Sequence, residues 1–110
     1  LKNVLFVCGK ARMRSPTAAD IVAKWPGYCT DFAGLSRDAD ERLSSDHIEW
    51  ADVIFVMDRR QKKRLSNQFD DILRDTKVVV LGVPDRFDYM SPELVAFMMP
   101  KLKQVLVAPA

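Results

Sequence analysis

Four short apolar runs, NVLFV (residues 3–7), YCTDF (28–32), VIFVM (53–57) and KVVVL (77–81), are separated by stretches whose apolar residues recur at helical spacing. No other feature constrains the fold so tightly. Strands that alternate with helices pair in parallel, and the helices cover both faces of the sheet. The first helix is expected from Pro16 to Trp25, with Ile21, Val22 and Trp25 at helical spacing, Ser15 as its cap and Pro26-Gly27 as its stop. A second is expected over Ser45 to Ala51, and a third from Arg59 with Leu65, Phe69 and Ile72 along one stripe. In the last, Ser91 caps, Pro92 takes the first turn, and Leu94, Met98, Leu102 and Val105 form the buried face, with a kink predicted at Pro100. The expected architecture is α/β: one doubly wound domain over residues 1–110, a four-stranded parallel sheet with helices on both faces.

Charge and cysteine usage narrow the function classes. A net charge of +2 is too small for bulk attraction to nucleic acid or a membrane surface, so any anion must be held by local clustering. Apolar runs such as VVVLGV (78–83) are far too short to cross a bilayer, and no secretory-type start is visible. Cys8 and Cys29 have neither a disulfide framework nor paired metal spacing, so free thiols in a cytoplasmic protein are expected. The single histidine, His47, does not make a metal site.

In doubly wound folds, ligands bind outside the carboxyl ends of the strands, where strand order reverses. The turn after the first run, CGKARMRS (8–15), is therefore the natural site. A loop leading into a helix gathers inward-pointing amides and attracts an anion, phosphate above all. A cysteine at its base feels the same field, which favours the nucleophilic thiolate. Arg14 offers a planar fork matched to two phosphate oxygens, and Ser15 can donate its hydroxyl to the sulfur.

Cys8, five residues, Arg14 and Ser15 form the signature of protein tyrosine phosphatases, and with SPTA (15–18) behind it the stretch resembles the low-molecular-weight branch. TDFAGL (30–35), ADVIFVMDRRQKKRL (51–65) and VPDRFDYM (83–90) are similar to further segments of that family, in the same order. The resemblance implies hydrolysis of phosphotyrosine-like aryl phosphates, on a phosphorylated protein or a small molecule, through a phosphocysteine on Cys8. It implies Arg14 as phosphate ligand and Asp85 as general acid and base, with Asp88 as the competing choice. Substrate contacts fall to Gly9, Lys10, Ala11, Arg12, Met13 and Ser15, with Phe87 stacking on an aromatic substrate. No metal or organic cofactor is implied, and no nucleic-acid or membrane partner.

The chain departs from that pattern at named positions. Ala11 and Phe32 stand where the family carries an asparagine and a serine that brace the loop, so apolar packing is expected to replace their hydrogen bond. Gly9 stands at the bulky wall of the substrate slot, and Asp85-Arg86-Phe87 replaces aspartate-proline-tyrosine. These changes predict reduced activity or altered specificity. They also motivate an alternative: a phosphate- or phosphoprotein-binding module with weak or no catalysis. A third class, an arsenate reductase on the same scaffold, requires Cys29 to reach Cys8.

Overall fold

A computed structural model of the chain describes residues 1–73 and 75–109. The elements alternate along the chain as β1 (Lys2–Cys8), α1 (Arg14–Ala23), β2 (Tyr28–Gly34), α2 (Ser45–Trp50), β3 (Val53–Val56), α3 (Arg59–Leu73), β4 (Lys77–Val80) and α4 (Pro92–Lys103). The four strands form one parallel sheet in the order β2-β1-β3-β4. From β1 the chain crosses to β2 on one side and then to β3 on the other, so the reversal of strand order opens at the carboxyl ends of β1 and β3. This is the α/β, doubly wound fold that the alternating runs predict.

The two central strands explain why their sequences read as unbroken apolar runs. Along β1, Val4, Phe6 and Cys8 face a core built with α1 and α4, while Leu5 and Val7 face a second core under α2 and α3. Residues Val53, Phe55 and Met57 join the first of these and Ile54 and Val56 the second. A strand covered on both faces must be apolar at every position, not at alternate ones. Phe6 and Phe55 stack across β1 and β3 with ring centroids 5.1 Å apart. The edge strands β2 and β4 are only half-buried over most of their length.

Several boundaries differ from expectation for physical reasons. Helix α1 begins at Arg14, with Met13 in the capping position, so Ser15 lies inside the first turn and does not cap. No side chain caps this helix: Thr17 Oγ1 donates to the Met13 carbonyl at 2.7 Å, alongside the Thr17 amide, and accepts no first-turn amide. Ser91 does cap α4, its Oγ accepting from the Leu94 amide at 3.3 Å. That helix runs on through Pro100, and Val105 lies beyond its end. Non-helical dihedrals fall instead at Phe69 in α3, at φ −133° and ψ 25°. Trp25 is buried in the core, whereas Trp50 and Cys29 are half-buried.

Candidate active site

The end of β1 delivers Cys8 to the bottom of the turn over residues 9–13, where the sulfur is 4% exposed with its residue. The Ala11 amide donates to Cys8 Sγ at 3.2 Å, and Ser15 Oγ lies 3.0 Å from the same sulfur. Both groups fix the sulfur at the base of the turn. Ser15 reaches it from the first turn of α1. Ala11 takes φ 60°, the left-handed region, at a strain of roughly 1 kcal/mol for a side chain with a Cβ.

The expected apolar substitute for the missing asparagine–serine bond is largely a main-chain one. The amides of Leu35 and Ser36 donate to the carbonyls of Cys8 and Gly9, both at 2.9 Å, and the Asp40 amide donates to the Lys10 carbonyl at 3.0 Å. Gly34 makes this closeness possible. A Cβ at that position would stand 2.6 Å from the Gly9 carbonyl oxygen and 3.0 Å from the Ala11 nitrogen. Two ion pairs add to the join, Lys10–Asp38 at 3.0 Å and Arg12–Asp40 at 3.1 Å. Lys10 holds the Asp38 carboxyl below the usual carboxylate range. Lys10 and Arg12 are thus partly neutralised by a neighbouring loop.

Arg14 is buried at 5% exposure and ties three segments together. Its Nη1 donates to the Val83 carbonyl at 2.8 Å and stands 3.8 Å from Asp58 Oδ2, while Nε stands 3.8 Å from Asp85 Oδ1. The edge of the guanidinium that carries Nε and Nη2 makes no hydrogen bond among the described residues, and this edge can grip an anion with two parallel bonds. The loop that bears Asp85 is docked onto α1. The Tyr89 amide donates to Met13 Sδ at 3.2 Å, the Met90 amide donates to Thr17 Oγ1 at 2.9 Å, and the Tyr89 hydroxyl donates to Asp20. This last bond raises the Tyr89 phenol above its ordinary range.

Around these groups opens a cavity of about 390 Å³, lined by Cys8, Gly9, Lys10, Arg12, Met13, Arg14, Ser36 and Asp85. Of the residues expected from sequence, Ala11 and Ser15 support it from behind. Asp85 lines the cavity and Asp88 does not. Phe87 is also absent from its walls. The ring packs against the core and against Phe97 of α4, centroid to centroid 5.8 Å, and the Arg86 guanidinium lies over it at 5.0 Å. Apolar burial beside α4 outweighs exposure toward a ligand. Ser36, Asp58, Tyr89 and Val83 enter the site or its supports without a sequence signal of their own; each arrives through tertiary proximity alone.

Cys29 is far from this chemistry. In the parallel register, Asn3 pairs with Cys29 and Cys8 with Gly34. The two thiols are therefore five strand positions apart, about 17 Å at the rise of an extended chain. A disulfide needs Cα atoms within about 7 Å, so Cys29 cannot resolve an adduct on Cys8 and the arsenate reductase alternative loses its second thiol. His47 sits in α2 with Nδ1 accepting from the Ser44 amide at 3.0 Å and Nε2 beside Glu41 at 3.3 Å. No described cluster of three or more His, Cys, Asp or Glu side chains has metal-holding geometry, and no helix among the described residues is long and apolar enough to cross a membrane.

Neither a protein-family model nor a curated protein matches the sequence. Solved structures do match the fold. A low-molecular-weight protein tyrosine phosphatase from Streptococcus pyogenes superposes with a TM-score of 0.73 at 16% identity, over 96% of this chain and 94% of that one. The Wzb protein of Vibrio vulnificus, solved with benzylphosphonate, gives 0.72 at 19% identity, over 94% and 93% of the two chains. The arginine phosphatase YwlE from Geobacillus stearothermophilus gives 0.65 at 20% identity, over 94% and 85%. Over nearly its whole length, this chain has the fold of these low-molecular-weight phosphatase structures.

Proposed function

We propose that the chain is a cysteine-dependent phosphatase that hydrolyses phosphotyrosine-like aryl phosphate monoesters, on a protein or on a small molecule. The reading is supported chiefly by one arrangement: a buried, doubly hydrogen-bonded Cys8 lines the same cavity as Arg14 and Asp85. Cys8 Sγ attacks phosphorus in line, and the bond to the aryl oxygen breaks as Asp85 gives that oxygen its proton. Arg14 and the amides of the turn over residues 9–14, other than that of Ala11, which bonds the sulfur, hold the three equatorial oxygens. Asp85, now ionised, takes a proton from water as the water attacks phosphocysteine, which releases phosphate and the thiolate. Ser15 donates to the sulfur as it departs. The thiol chemistry suits a reducing, cytoplasmic compartment.

Both tyrosine and arginine phosphatases share the fold. Lys10 and Arg12 are paired with Asp38 and Asp40, and Arg14 faces Asp58 and Asp85, so the charge of the lining does not choose between an aryl and a guanidinium leaving group. Turnover of p-nitrophenyl phosphate tests the proposal. Rates well above those of a Cys8→Ser control are expected, and equal rates refute it. One observation favours the binding-module reading: no aromatic side chain lines the cavity, so an aryl ring finds no stacking wall. Phosphate binding without turnover is the outcome that selects it.

A further inference from the structure

A second cavity, of about 620 Å³, adjoins the first and shares Arg14 and Asp85 with it. Its remaining walls are Asp58, Arg60, Gln61 and Arg64 from the start of α3 and the segment from Gly82 to Pro84. Arg60 and Arg64 are four residues apart, so they project from one face of the helix. Asp58 is already engaged: Oδ1 accepts from the Gln61 amide at 2.9 Å, capping α3, and Oδ2 faces Arg14 at 3.8 Å. Neither Arg60 nor Arg64 forms an ion pair among the described residues. Arg64 makes one long bond, from Nη2 to the Leu35 carbonyl at 3.4 Å. This contrasts with Lys10 and Arg12, which both have carboxylate partners. Two guanidinium groups without a carboxylate partner, near the positive end of a helix and in a hollow that shares the walls Arg14 and Asp85 with the reaction site, are suited to an anion.

We propose that Arg60 and Arg64 form a second anion subsite beside the phosphoryl site, so that the preferred substrate carries another negatively charged group next to its phosphate. This rests on the phosphatase reading and narrows its substrate class. The second group is a carboxylate flanking a phosphorylated side chain or a second phosphate on a small molecule; both present oxygen pairs that match a guanidinium fork. The remaining basic residues of α3, Arg59, Lys62 and Lys63, lie outside this cavity and serve as its solvated face.

The test compares matched substrates. Phosphotyrosyl peptides flanked by aspartate or by asparagine form one pair, and an aryl bisphosphate and its monophosphate form the other. For the wild type we expect kcat/KM to favour the more anionic member of at least one pair by about fivefold at low salt, as for two exposed ion pairs. The preference shrinks as salt rises and falls to about one in Arg60→Ala/Arg64→Ala. The pair that shows it identifies the source of the anion. Equal treatment of both pairs by the wild type, or a preference that survives the double substitution, overturns the proposal. If the wild type turns over none of the four, the phosphatase reading fails by itself, and the same ratios measured as Kd by calorimetry decide on the subsite.

Discussion

Gly34→Ala is a one-methyl perturbation aimed at the join between β2 and the turn that follows Cys8. The added carbon would lie 2.5 Å from Ala39 Cβ, 2.6 Å from the Gly9 carbonyl oxygen and 3.0 Å from the Ala11 nitrogen. Ordinary contact begins at 3.4 Å, so the Gly9 carbonyl must retreat by about 0.8 Å. That oxygen accepts from Ser36 at 2.9 Å, and the Ala11 amide beside it donates to Cys8 Sγ at 3.2 Å. Neither bond survives such a shift at full strength. Overpacking of this kind costs about 1–3 kcal/mol, which for a domain of this size lowers Tm by roughly 4–13 °C. Thermal denaturation with and without phosphate, alongside p-nitrophenyl phosphate turnover, reads both effects. Adding Ala39→Gly relieves one contact of the three and should restore part of the stability but little of the turnover. A Gly34→Ala protein with wild-type Tm and wild-type phosphate affinity would refute the claim that main-chain closeness at Gly34 holds the cradle.

Three further outcomes follow from the same geometry. Asp85→Asn should lower kcat on poor leaving groups by about 10²–10⁴-fold, the range for a general acid, while Asp88→Asn stays near wild type; the reverse order in steady-state kinetics would exchange their roles. Arg14→Lys should weaken phosphate binding by at least about tenfold, because a point charge replaces a fork and leaves the Val83 carbonyl without its donor; calorimetry with inorganic phosphate reports it. In a Tyr28→Phe background, ultraviolet titration should place the Tyr89 phenol above its ordinary range, with Asp20→Asn bringing it down. Since that phenol is raised in the folded state, its contribution to stability is complete below the unfolded value and is lost as pH climbs through the folded one.

The sheet was legible because β1 and β3 are buried on both faces and so cannot hide their apolar runs. The helices were legible from stripes such as Leu94, Met98 and Leu102, which the core does bury. Cys8, Arg14 and Ser15 could be singled out because their spacing along one turn is local. The contact of Ser15 with the sulfur is local and legible in the same way, but its capping role is not realised, since no local signal reveals that Met13 takes the capping position. Phe87 was misdirected for a similar reason: the ring's direction is set by Phe97, on a helix ten residues away in sequence. Asp58 and Val83 reach Arg14 from segments 44 and 69 positions distant, and no periodicity in the chain encodes such a meeting.

Much of the cradle is moored by peptide groups, which every residue type supplies alike. Gly34, through what it lacks, is tightly specified at that seam, next to the buried Leu35. Side-chain changes between Leu35 and Asp40 that spare the core and the two ion pairs therefore leave the turn after Cys8 moored. Such a scaffold keeps its shape long after its spelling has drifted beyond easy comparison.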